Sequence, residues 1–247
     1  MQWNNAQIKQ HKKAAEILMK IIKQVIEFIK KNSNTTEWKI RQFIKTQYKK
    51  YHLISDKQKS IVAFGKNTSN VHYFAEQQHL LKNNNLIMVD IWAKLAEKNA
   101  PFADITWMLY FGKNVPKQYV DIFKIVAQTR DKAIKYLQNN LKSKIIPIGK
   151  DIDAIARNYL DKHGYSDKFL HSTGHSLGVV SPHGRRTLIG RKGRQCLPIN
   201  IGYTIEPGIY FKNKFGVRSE IDFYINKNYK LIITTKIQKK IIKISAY

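Results

Sequence analysis

The chain of 247 residues carries 44 Lys and Arg against 17 Asp and Glu, a formal charge of +27, and its 43% of hydrophobic residues can build a substantial core, which excludes a disordered chain. A single cysteine, Cys196, excludes an internal disulfide framework and a cysteine-built zinc site. The N-terminal stretch MQWNNAQIKQHKK lacks the apolar core of a signal peptide and no run of 18 apolar residues follows, so the chain reads as soluble and cytoplasmic, with no membrane partner. The charge is spread: +10 over residues 1–60, +6 over 61–184 and +11 over 185–247. That distribution reads as a solvated surface more than as a selected anion site. Its one pointed stretch is a loop at 185–194, where Arg185, Arg186, Arg191 and Arg194 lie among Gly184, Gly190 and Gly193.

In chain order, residues 12–31 place Ile17, Leu18, Ile21, Ile22, Val25, Ile26 and Ile29 at helical intervals and predict an amphipathic helix. Asn34-Thr35-Thr36-Glu37 offers a cap for a second helix reaching about Tyr51. Three apolar runs of strand length follow: Ser60–Phe64, Leu86–Trp92 and Ile105–Phe111. Pro116 opens a long helix over about 117–141, and a shorter one covers about 151–163. From His171 onward the chain is strand-like, with runs at 201–205, 208–211, 217–225 and 229–235. Helices lead strands twice, before and after about residue 112, which predicts an α+β domain of two similar halves.

Acids are scarce, so their positions carry information. Asp90 sits in Ile87–Trp92, Asp104 in Phe102–Trp107, Glu206 after Thr204-Ile205, and Glu220 in Val217–Ile221. An ionised carboxylate in such a run needs a partner, either backbone donors and lysines or a cation. His171 and His175, in His-Ser-Thr-Gly-His-Ser-Leu-Gly, supply an imidazole, and the glycines place the pair on a loop or strand. One imidazole among several carboxylates favours Mn(II), Co(II) or Fe(II), with Zn(II) also compatible.

These residues resemble the pita-bread metallopeptidases, the group of aminopeptidase P, prolidase, methionine aminopeptidase and creatinase, over nearly the whole chain. The family's ligand order Asp, Asp, His, Glu, Glu falls on Asp90, Asp104, His175, Glu206 and Glu220. Val71-His72-Tyr73 is similar to the segment bearing a substrate-side histidine, and Glu206-Pro207-Gly208-Ile209-Tyr210 with Arg218-Ser219-Glu220 resembles the aminopeptidase P and prolidase branch. Arg218 and Glu220 share one side of a strand, so the guanidinium can orient a ligating carboxylate.

The resemblance implies the pita-bread fold, two pseudo-symmetric halves with a curved antiparallel sheet covered by helices, here one domain over 1–247 without the N-terminal domain of those enzymes. It implies two divalent metal ions, manganese first among them, bridged by Asp90 and Glu220, with Asp104 on one and His175 on the other. Glu206 is the implied proton shuttle, His72, His171 and His183 the groups that hold the substrate carbonyl oxygen, and Arg218 a substrate-side residue. The implied activity is that of an Xaa-Pro aminopeptidase acting on short peptides, and a homodimer is an open expectation. The alternative is an inactive module of the same fold that binds nucleic acid. Two departures from the family pattern are visible: a longer stretch between Asp90 and Asp104, expected to be a hairpin turn at Glu97–Pro101, and His183 one residue further along than usual, where a bulge would restore its aim.

Overall fold

The computed structural model describes residues 2–56, 60–74 and 79–245, and of residues 185–187 the backbone alone. Helix α1 (Asn5–Lys31) begins well ahead of the periodic apolar stretch. The reason is a reciprocal cap: the Asn4 side chain accepts from the Gln7 amide at 2.9 Å while the Gln7 side chain accepts from the Asn4 amide at 3.1 Å. Helix α2 (Glu37–Lys50) starts where the sequence places it, with Thr36 Oγ1 accepting from the Lys39 amide at 3.1 Å.

Strands β1 (Leu53–Ile54), β2 (Ile61–Phe64), β3 (Asn85–Leu95) and β4 (Ala103–Phe111) complete the first half. The second half repeats the plan with helices α3 (Lys117–Lys142) and α4 (Gly149–Asp161), then β5 (Gly174–Leu177), β6 (His183–Ile189), β7 (Gly202–Ile205), β8 (Gly208–Phe211), β9 (Phe215–Arg218), β10 (Ile221–Ile225) and β11 (Leu231–Ile233). A last strand, β12 (Ile242–Ile244), returns to the first half and runs parallel to β4. The first sheet has the order β1-β3-β4-β12 with β2 also on β3, the second the order β11-β10-β7-β5-β6, and β8 and β9 form a separate hairpin.

Two sequence expectations change here. The run 217–225 is two strands: β9 pairs with β8 and β10 with β7, and Ser219 and Glu220 sit at the switch between them. The first part of the arginine stretch is strand β6, and only Arg191 and Arg194 lie in the turn beyond it. The side chains of Arg185 and Arg186 lie outside the described residues.

Strands β3 and β4 are buried on both faces, which explains their nearly unbroken apolar sequence. Ile87, Val89, Ile91 and Ala93 of β3, with Ile105, Trp107 and Leu109 of β4, pack under α1 and α2. Leu86, Met88 and Trp92, with Met108 and Tyr110, face the other way, towards α3 and the β8–β9 hairpin. Asp90 and Asp104 have the parity of this second set, so strand alternation alone turns both acids towards the junction of the two halves. Among the described residues no helix is long and apolar enough to cross a membrane.

Candidate metal centre

The β3–β4 register sets Asp90 opposite Thr106 and Trp92 opposite Asp104, so the two acids are diagonal neighbours on one face. The extra residues between them form the hairpin turn, where the Ala100 amide reaches Glu97 O at 3.2 Å and Asn99 adopts φ 56°. Its length is absorbed outside the ladder and leaves the acids in register. The second half contributes His175 from β5, Glu206 from the end of β7, and Arg218 and Glu220 from the β9–β10 switch. All line one cavity of about 200 Å³, together with His171, His72, His183 and Trp92.

Ligand atoms of Asp104, His175 and Glu220 lie within 4.8 Å of one another, and all three residues are buried. His175 Nδ1 faces the carbonyl of Ser176 at 3.1 Å and must donate to it. A neutral His175 therefore presents a lone pair at Nε2, and that atom is 3.2 Å from Glu206 Oε1 and 4.0 Å from Asp104 Oδ2. Asp104 Oδ1 is buried with no hydrogen-bond partner. Burial first, then the negative charge of Glu220, pushes the Asp104 carboxyl well above the ordinary carboxylate range. Burial and then the charge of Glu206 do the same to Glu220. A concave set of acceptors facing one another, with an orphaned oxygen among them, fits a divalent cation, which would supply the missing positive charge.

Glu206 behaves differently. Burial opposes its ionisation, but the hydrogen bond and charge that the His175 ring supplies in its protonated form, with His171 and Arg218 nearby, hold it down to about 2. Thr204 fixes its aim, donating from Oγ1 to Glu206 Oε1 at 3.1 Å.

Arg218 binds Asp90 directly with its Nη2 and donates from Nε to Thr106 Oγ1 at 2.9 Å. Thr106 in turn donates to Glu220 Oε2 at 2.7 Å. The guanidinium therefore orients Asp90 itself and reaches Glu220 through Thr106, because the strand is interrupted between Arg218 and Glu220. Burial still raises the Asp90 carboxyl above its ordinary value despite Arg218.

His183 stands opposite Leu177, and the β5–β6 register shifts between His175 and Leu177. That irregularity brings the His183 ring within 4.1 Å of the His175 ring, centre to centre. His183 and His72 sit at the exposed rim. His171 is deeper: its Nδ1 donates to Ser172 O at 2.9 Å, so its Nε2 accepts from the Tyr210 hydroxyl at 2.8 Å. Burial first lowers its pKa to about 4, keeping it neutral. In this tautomer His171 anchors Tyr210 through Nε2.

Asp222 and Thr106 were not singled out by the sequence reading. Asp222 Oδ2 accepts from the Asp104 amide at 2.9 Å and so fixes the backbone of a ligand candidate. Its position in the apolar run Ile221–Ile225 is the same signal that marked the other four acids. Of the flanking residues, Trp92 lines the cavity and donates to Asp56 at 2.9 Å, Lys94 donates to Val179 O at 2.5 Å, and Trp107 packs beneath α1 and α2.

The chain is similar to known proteins. The family model of metallopeptidase family M24 matches residues 9–227. An uncharacterized peptidase of Methanocaldococcus jannaschii is 30% identical over 224 residues, 90% of this chain and 60% of that protein. The X-Pro aminopeptidase of Thermotoga maritima superposes with a TM-score of 0.84 at 26% identity, covering 98% of this chain and 64% of that one. A prolidase from Thermococcus sibiricus gives 0.83 at 29%, covering 97% and 61%. The chain spans about 60% of the length of the curated relatives it matches. The matched region runs from within α1 past β10 and contains all five acid and imidazole donors, and the chain belongs to metallopeptidase family M24.

Proposed function

We propose that this chain carries a metal-dependent aminopeptidase centre of the Xaa-Pro type, acting on short peptides. The observation that carries the reading is the convergence of Asp90, Asp104, His175, Glu206 and Glu220 on one cavity, with an unpaired acceptor face among them. Asp104, His175 and Glu220 would hold one divalent ion, which puts Asp104 and His175 on the same ion where the resemblance implied one on each. Asp90 and Glu206 extend the donor set to a second, with manganese the first candidate for an oxygen-rich set of this kind. Ions held there supply polarisation of the scissile carbonyl and a lowered pKa for water.

The remaining steps belong to the chain. Glu206, ionised and aimed by Thr204, takes a proton from the attacking water and passes it to the leaving amine nitrogen. His72 and His183, at the rim, hold the carbonyl oxygen as negative charge develops on it. Arg218 orients Asp90 and opposes the burial that raises its carboxyl, and His171 holds the Tyr210 hydroxyl. Proline preference is supported by the likeness to an X-Pro aminopeptidase and a prolidase.

The test is a panel of Xaa-Pro dipeptides, Xaa-Pro-Yaa tripeptides and Met-peptides, offered to chelator-treated protein before and after Mn(II) is restored. Hydrolysis of the proline peptides only with metal supports the reading. Hydrolysis of Met-peptides alone would move it to another branch, and no hydrolysis with any metal tried would overturn it.

A further inference from the structure

Outside the metal centre, an enclosed acid stands at the start of α2. The Glu37 side chain has no solvent exposure. Its Oε1 accepts from the Phe64 amide at 2.6 Å and from Asn67 Nδ2 at 3.0 Å, and its Oε2 accepts from the Tyr73 hydroxyl at 2.6 Å. His79 Nδ1 lies 3.3 Å from the same Oε2. Every one of these partners belongs to the stretch from the end of β2 to residue 79.

That stretch carries Val71, His72 and Phe74 onto the wall of the metal centre. Its other side is fixed as well. Thr68 Oγ1 accepts from the Gly216 amide at 2.8 Å, on the strand that ends in Arg218. A Cβ at Gly216 would lie 2.2 Å from Thr68 O, so only glycine permits this approach. The segment before His72 is thus clamped between α2 and β9.

Burying a carboxylate is costly unless donors converge on it, and an apolar contact would close the same packing at lower cost. The three donors gathered by Glu37 define the path of one particular piece of backbone. We propose that Glu37, acting with Tyr73, is a positioning residue that sets His72 at the mouth of the metal centre. The idea rests on the peptidase reading of His72, and the test separates the two.

The experiment compares Tyr73→Phe, Glu37→Gln, His72→Ala and the double variant Tyr73→Phe/His72→Ala on an Xaa-Pro-Yaa tripeptide with Mn(II). Metal content is measured alongside, as are the His72 ring resonances and the amide exchange of Phe64. Tyr73→Phe is expected to lower kcat roughly tenfold with little change in KM, since a small misplacement of a group near the reacting bond costs up to about a hundredfold. It should add nothing in the His72→Ala background, should move the His72 ring resonances, and should leave bound metal unchanged. Glu37→Gln should speed exchange at Phe64, and if it does not fold, Tyr73→Phe carries the test alone. Losses that multiply in the double variant, or an unmoved His72 resonance in Tyr73→Phe, overturn the proposal. If the parent protein hydrolyses no peptide, the peptidase reading fails, and the His72 resonance still decides whether Tyr73 positions that ring.

Discussion

Three acids in one cavity are pushed in two directions, and the division is informative. Asp104 and Glu220 are raised by burial and by each other, whereas Glu206 is held down to about 2 by His175. Without metal, the raised pair contributes stability that is complete below the unfolded carboxylate values and is lost as pH rises through the folded ones. Glu206 has the opposite sign: its contribution is present above its unfolded value of 4.5 and fades as pH falls towards 2. Metal-free protein should therefore lose stability between mildly acidic and alkaline pH, and added Mn(II) should restore it. Asp104→Asn should raise the midpoint of metal-free unfolding at pH 8, because it removes a buried carboxyl whose ionisation the fold opposes, and abolish the Mn(II) response. A variant with the parent's midpoint and metal response would refute this. At this scale the acids were legible because apolar runs make them conspicuous. Thr106 and Tyr210 were not, since their roles come from contacts with Arg218, Glu220 and His171 far along the chain.

The elements were legible where periodicity runs long, as in α1, α3, β3 and β4, and less so where tertiary pairing decides. A three-residue strand such as β12 has too few positions to show alternation, and the break at Ser219 and Glu220 follows from β9 and β10 choosing different partners. The early start of α1 has a physical consequence. It carries His11 into the interior, between Phe102 O at 2.8 Å and Thr234 Oγ1 at 2.7 Å. Burial lowers its pKa from 6.5 to about 4, so the unfolded chain binds a proton there that the folded chain refuses. Its contribution is intact above pH 6.5 and declines as pH falls to about 4, by roughly 3 kcal/mol for a shift of that size. Denaturant titrations of the parent and His11→Gln across pH 4 to 7 should show a shallower fall in the variant. Parallel curves would mean that His11 does not couple α1 docking to pH.

At the scale of the whole molecule, the charge of +27 surrounds a core that gathers four acids and His175 at the junction of two halves. The repeated order of helices before strands was visible in the sequence. The meeting of the halves was visible only through the family resemblance, because no local pattern tells β3 and β4 that β5, β7 and β10 will close over them. The spread of the charge predicts weak, sequence-independent attraction to polyanions. RNA retained at low ionic strength should be released by physiological salt, where the screening length is about 8 Å. Tight RNA binding at that salt with a steep salt slope would instead favour a selected nucleic-acid face.

The most direct test of the peptidase centre is the rate of Xaa-Pro-Yaa tripeptide hydrolysis by Mn(II)-reconstituted protein and by Glu206→Gln, measured side by side with bound metal quantified in each. Loss of the proton carrier should lower kcat by about 10² to 10⁴, while the amide and the remaining donors still retain metal. Equal rates in the two proteins, with equal metal, would contradict the account.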